Sequence, residues 1–236
     1  MNLSLKPKYL NFLILGASAA AFTLRKVLYA FGFDGRGLLV ENHPAALSLW
    51  GLTAVVAVLL ILFALRPQGG AVTIAPRLGA AGAFAAAAAL GYTALQEFGN
   101  FFAPVDILSW VLGLISAVSF LCIGFCRLRR MQPSFLLHAL PCVYIALRLV
   151  FQYRMLSVDP QLMDYCFYLC ACVALMLTAY HHAALDADLG KPQLLHACSL
   201  AGVYLSCAAL AYTEDPFLPA GLALWAVCSL PREEVL

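Results

Sequence analysis

The chain has 236 residues, of which 64% are hydrophobic and 11% charged, with a net charge of +2. A soluble domain carries about 25% charged residues, so this composition excludes an ordinary water-soluble globule and makes lipid the main solvent. Its 14 lysines and arginines are scattered and not interleaved with aromatics, so no nucleic-acid partner is expected.

A membrane-crossing helix needs about 20 predominantly apolar residues. The first such run is 9–33. Lys6 and Lys8 before it and Ala17-Ser18-Ala19 within it resemble a secretory leader. The apolar helix continues past that point to Phe33, which favours a retained signal anchor. Further runs follow at 45–65, 78–102, 105–126, 133–154, 162–184 and 194–212. Turn chemistry separates them: Asp34-Gly35-Arg36-Gly37, Arg66-Pro67-Gln68-Gly69-Gly70, and Pro104, Pro133, Pro160, Pro192 and Pro216 near later boundaries. The last run, 217–230, has 14 residues and reaches only about 21 Å as a helix. The expected fold is therefore an all-α polytopic membrane helix bundle, one unit over 1–236, with eight spans or, if the last run does not cross, seven.

Lysine and arginine in short loops set orientation. With a cytoplasmic N-terminus, Lys6, Lys8, Arg66, Arg77, Arg127, Arg129, Arg130, Lys191 and Arg232 fall inside, against Arg36 and Arg154 outside. The expected location is the plasma (cytoplasmic) membrane, multi-pass, with the lipid bilayer as solvent. Outer loops carry Asp34, Glu41, Asp159, Glu214 and Asp215, and Trp50 and Trp110 lie near the predicted outer interface.

That orientation gathers the intramembrane charges into one outer layer. Arg25 and Lys26 lie in the first span, Glu97 in the third, Asp106 at the start of the fourth, Arg148 in the fifth and Asp164 at the start of the sixth. Charge at membrane depth costs roughly 2.5–3.5 kcal/mol on insertion scales and reads as functional by default. Polar neighbours at i,i+4 extend each into a face: Tyr92 with Gln96, Thr93 with Glu97, Tyr144 with Arg148, Arg148 with Gln152, and Asp164 with Tyr168. The expectation is an outward pocket for a small anionic or zwitterionic solute. Its substrate-binding residues would be Arg25, Lys26, Gln96, Glu97, Tyr144, Arg148, Gln152 and Asp164, with the arginines on an anionic group and Glu97 balancing charge or meeting an amine. The bland alternatives are lipid-facing snorkelling for Arg25 and Lys26, a structural ion pair for Glu97 and Arg148, and helix capping for Asp106 and Asp164.

Leu24-Arg25-Lys26-Val27 and Leu147-Arg148-Leu149-Val150 match at an offset of 123, a weak sign of a repeat relating 1–123 to 124–236. Glu97 has no counterpart, since its shifted position is Ala220.

The sixth run ends in His181-His182, followed by Asp186 and Asp188, with His196 opening the seventh. His182 and Asp186 at i,i+4 are weak metal candidates together with His181 and His196. An interfacial turn, ended by Gly190 and Pro192, is the simpler account. His138, one turn from Pro141, suits a proton relay or, more simply, a bond to a helix carbonyl freed by the proline. Nine cysteines sit inside apolar runs as packing residues. No catalytic or nucleotide-binding motif occurs, so no cofactor is expected.

Small-residue stretches at Gly16–Ala21 and Gly79–Ala89 suit close helix contact, internally or with a partner membrane subunit. The ensemble is similar to the substrate-binding subunits of energy-coupling-factor vitamin importers, which are small, helical, open outward and meet a partner through small-residue faces. Those usually have six spans, and no vitamin-specific motif is present here. Two other readings stay open: a metal-dependent membrane enzyme acting on lipid, and a non-catalytic subunit of a membrane complex.

Overall fold

The computed structural model describes residues 7–32, 43–65, 72–99, 104–156, 162–211, 213 and 215–233, excluding the side chains of 7, 72–73, 155–156, 162–164 and 232–233. Of the orientation charges, Lys6, Asp34, Arg36, Glu41, Arg66, Asp159 and Glu214 lie outside the described residues, as does the side chain of Arg232.

Among the described residues eight helices form: α1 (Pro7–Phe31), α2 (Pro44–Ala64), α3 (Pro76–Glu97), α4 (Pro104–Leu128), α5 (Phe135–Leu156), α6 (Leu162–Asp186), α7 (Pro192–Leu210) and α8 (Phe217–Cys228). Seven are long and apolar enough to cross a membrane. The chain is a multi-pass integral membrane protein. Proline opens α2, α3, α4 and α7, where its missing N–H removes no helical bond.

Helix neighbours define the bundle. α3, α4, α5, α6, α7 and α8 close a ring, and α1 and α2 pack on its outside against α7. Lipid solvates the rim, so large apolar side chains point outward there: α2 exposes Leu47, Val55, Val58, Ile61 and Leu62. The centre is held by Trp225, Tyr144, Tyr204, Phe120 and Leu200.

α8 has 12 residues, about 18 Å of helix, yet it runs between the two ends of the bundle. Asp215 before it meets Thr93 near the end of α3, whereas Trp225 in its last turns packs against His138 and His182. It can be short because it is covered by protein. It lies antiparallel on α3 with small residues at the crossing. A Cβ on Gly82 would come within 2.6 Å of Cys228 Cβ, and one on Gly221 would overlap Ala89. Within the Gly79–Ala89 stretch, expected to serve internal contact or a partner, Gly82 and Ala89 pack on α8 and Gly79 on Arg127 of α4, while Ala81 and Ala88 are exposed. The Gly16–Ala21 stretch divides: Ser18 and Ala21 are buried, while Gly16, Ala19 and Ala20 are exposed.

Beyond α8, β2 (Pro231–Glu233) pairs antiparallel with β1 (Val72–Ile74), in the register Val72↔Glu233 and Ile74↔Pro231. This small clasp, unanticipated in an all-helical reading, pins the chain after α8 to the entry of α3. Its end of the bundle also carries Lys8, Arg77, Arg127, Arg129, Arg130 and Lys191 and is here called the basic end. The opposite end, with Glu97, Asp106 and Asp215, is the acidic end.

Candidate functional site

Two polar clusters lie along one buried face of α5. His138, Pro141, Ile145 and Arg148 recur at i, i+3, i+7 and i+10, the spacing of a single helix face. Ten residues separate the clusters by about 15 Å along the axis.

At the acidic end, Arg148 Nη1 donates to Glu97 Oε1 at 2.7 Å and to the Tyr144 hydroxyl at 2.9 Å. Arg148 Nη2 lies 3.7 Å from Asp215 Oδ2. Tyr168 on α6 hydrogen-bonds the same guanidinium. Asp215 is fixed in turn: Thr93 Oγ1 donates to its Oδ2 at 3.3 Å, and it accepts from the Phe217 N–H at 3.2 Å, capping α8. These groups border a cleft of about 380 Å³ lined by Thr93, Gln96, Glu97, Asp106, Ser109, Arg148, Phe151, Gln152 and Asp215. Exposure falls from 38% for Glu97 through 26% for Asp215 to 11% for Arg148, so the carboxylates stand nearer the mouth and the cation lies deeper. Arg148 with Glu97 and Asp215 leaves that trio one charge negative when all are ionised.

The other expected site residues are placed as follows. Arg25 is buried, but its guanidinium stacks 4.6 Å above the Phe167 ring. Phe167 and Tyr168 are adjacent on α6, so Arg25 and Arg148 lie on different faces of that helix. The expected joint arginine pocket is therefore not assembled, because α1 packs on α2 and α7 away from the cleft. Lys26 is exposed, 5.8 Å from the Phe22 ring. Gln96 is exposed at the cleft and donates to the Tyr92 hydroxyl at 2.9 Å. Gln152 lines the cleft, and its Oε1 is buried with no hydrogen-bond partner among the described residues. The side chain of Asp164 lies outside the described residues. Asp215 had been assigned to an outer loop, since nothing in a Glu-Asp-Pro turn signals that it folds back over Arg148.

At the basic end, His138 Nδ1 lies 2.6 Å from Asp186 Oδ2. Its ring stacks on His182, with centroids 5.0 Å apart and planes at 13°. Trp225 closes the group, 5.0 Å from His182 and 6.1 Å from His138. Arg127 is buried beside Asp186, in space left by Gly79, where a Cβ would come within 2.6 Å of Arg127 Nη1. His138 does not take the carbonyl freed by Pro141, as the simpler expectation had it; a carboxylate 48 residues away reaches it instead. A second cleft, of about 740 Å³, opens here between Arg127, Arg130, Asp186, Asp188 and the clasp residues Ile74 and Pro231.

The weak metal candidates diverge. His182 faces α5 and α8. His196 Nε2 lies 2.6 Å from Asn11 Oδ1 on α1, with Phe63 against its ring. His181 packs edge-on to Tyr180. Among the described residues, no group of three or more histidines, cysteines and carboxylates is arranged to hold a metal ion. Comparison with known proteins gives no match to a family model, a curated protein or a solved structure.

Proposed function

We propose that the protein binds, and moves across the membrane, a small zwitterionic or cationic solute that enters the acidic-end cleft with an ammonium group leading. The carrying observation is that Arg148 is already neutralised by Glu97 at 2.7 Å, with Asp215 as a further carboxylate beside it. An added anion meets net negative charge there; an ammonium meets two carboxylates. The purely anionic solute expected from the arginines therefore loses support, and the zwitterionic one keeps it: the Gln152 amide lines the same cleft and can donate to a carboxylate. With the basic end cytoplasmic, the cleft faces outward.

A thermal-shift screen of detergent-purified protein tests this. The panel comprises amino acids, polyamines and choline-type amines, against dicarboxylates and inorganic phosphate as anionic controls. Bound ligand raises Tm by mass action. Some amine-bearing compounds should stabilise wild type and lose that effect in Glu97→Gln. Stabilisation by the anions alone would overturn the charge assignment. No shift by any panel member would leave the Arg148 cluster as a packing device and overturn the solute reading.

A further inference from the structure

The histidine pair at the basic end is not used by the acidic-end cleft. His138 and His182 are 0% and 1% exposed. Both ring nitrogens of His138, Nε2 of His182, Oδ2 of Asp186 and Nε of Arg127 are buried with no hydrogen-bond partner among the described residues, so His138 and Asp186 approach to 2.6 Å without an aligned hydrogen bond. A buried ring nitrogen without a partner costs free energy, and packing alone would be served by an apolar ring. Two ordinary explanations fail on geometry. The rings are stacked nearly parallel, so their in-plane lone pairs do not converge on one metal position. Nor do the two Nε2 atoms belong to a closed hydrogen-bond network that would account for burying them. What remains is an ionisable pair that keeps room for one more proton.

We infer that His138 and His182 form a proton-binding site within the membrane-embedded part of the bundle, loaded from the basic-end cleft through Asp186. Asp186 is the connecting group: it lines the cleft, its side chain is 15% exposed, and its Oδ2 is 2.6 Å from His138 Nδ1. Neutral His138 in its Nε2–H tautomer keeps the Nδ1 lone pair for a proton passed on by Asp186. A proton from cleft water then converts the imidazole to an imidazolium facing the carboxylate, taking that pair from one net negative charge to none. Release returns the proton to the same water. The titratable and charged groups facing the pair are Arg127 from α4 and Asp186 and His181 from α6; α8 contributes only the neutral Trp225. Since Arg127 and Asp186 cancel, the proton decides whether the cluster is neutral or positive. Repulsion between two stacked imidazolium ions limits the pair to one added proton. Ionisable chains of this kind inside membrane helices mark proton pathways.

The site stands independently of the solute assignment and is tested with the proton itself as probe. Trp225 is a built-in reporter, because an imidazolium quenches a stacked indole. In full-length protein carrying Trp50→Phe and Trp110→Phe, Trp225 emission should fall as pH is lowered from about 8 through and below the usual imidazole range. The His138→Gln/His182→Gln double variant should abolish the transition, and Asp186→Asn should displace its midpoint by about one pH unit. Emission that is flat with pH in the single-tryptophan protein overturns the inference and needs no histidine variant to fold. A transition that survives in a folded double variant overturns it equally. Either result leaves the amine screen untouched, so the two readings fail separately.

Discussion

At one end of α5, Arg148 meets Glu97 at 2.7 Å beside a 380 Å³ cleft, with its partners exposed toward the mouth. At the other end, His138 meets Asp186 at 2.6 Å, but the imidazole is sealed and only the carboxylate faces the cleft. The first arrangement holds a permanent cation and surrounds it with more negative charge than neutrality needs, which suits a bound ammonium. The second holds a group that can be neutral and is sealed from the 740 Å³ cleft that Asp186 borders, which suits a proton. One helix face thus carries two kinds of charge storage, and the difference lies in which partner is left open to water.

The strongest way to break that contrast is Arg148→Ala. Removing the largely buried guanidinium costs ~1–3 kcal/mol, because the buried Tyr144 hydroxyl loses its partner while Glu97 and Asp215 stay partly solvated. Unfolding of the detergent-solubilised protein should show a loss of that order, whereas Glu97→Gln, at a 38% exposed carboxylate, should cost ~1 kcal/mol or less. Equal losses would mean that the pair is sealed and that the cleft reading is wrong. Gly221→Val comes next, at ~1–3 kcal/mol for overpacking against Ala89. α8 brings Asp215 to one cluster and Trp225 to the other, so this change should perturb both ends, seen as altered Trp225 emission together with weakened amine stabilisation. Asp186→Asn should cost ~1–3 kcal/mol through the buried Arg127 it leaves behind, with amine stabilisation retained at the far end. Lys26→Ala should change unfolding by less than ~0.5 kcal/mol, as for exposed positions generally; a larger loss would place Lys26 in a site after all.

The long helices were legible because the apolar runs are unbroken and prolines mark their starts, as at Pro44, Pro76, Pro104 and Pro192. The partnership of Arg148 with Glu97 was also within reach, as two opposite charges at similar depth on different helices. The location of Arg25 was not, because depth along a helix says nothing about which neighbour that helix packs against. Arg127 was counted among the loop charges that orient the chain, although it stands inside the last turn of α4 and the nearby Gly79 leaves room for it. Asp215 meets Arg148 and Thr93, 67 and 122 residues away, and the β1–β2 clasp joins strands still further apart, which local periodicity does not encode. His138 carried one usable signal, its depth, and the proline a turn away suggested a local partner in place of the distant Asp186.

The brevity of α8 has an electrical consequence. A hydrocarbon slab is ~30 Å thick, yet the polar groups before and after this 12-residue helix stand only about 18 Å of helix apart. Water in the two clefts would bring the bulk potential of each side close to Arg148 and Asp186, leaving roughly 15 Å of dry protein between the clusters along α5. A membrane voltage would then drop almost wholly across that thin septum. A charge crossing the whole potential gains about 2.3 kcal/mol per 100 mV, and here a single step between the clusters would collect most of it.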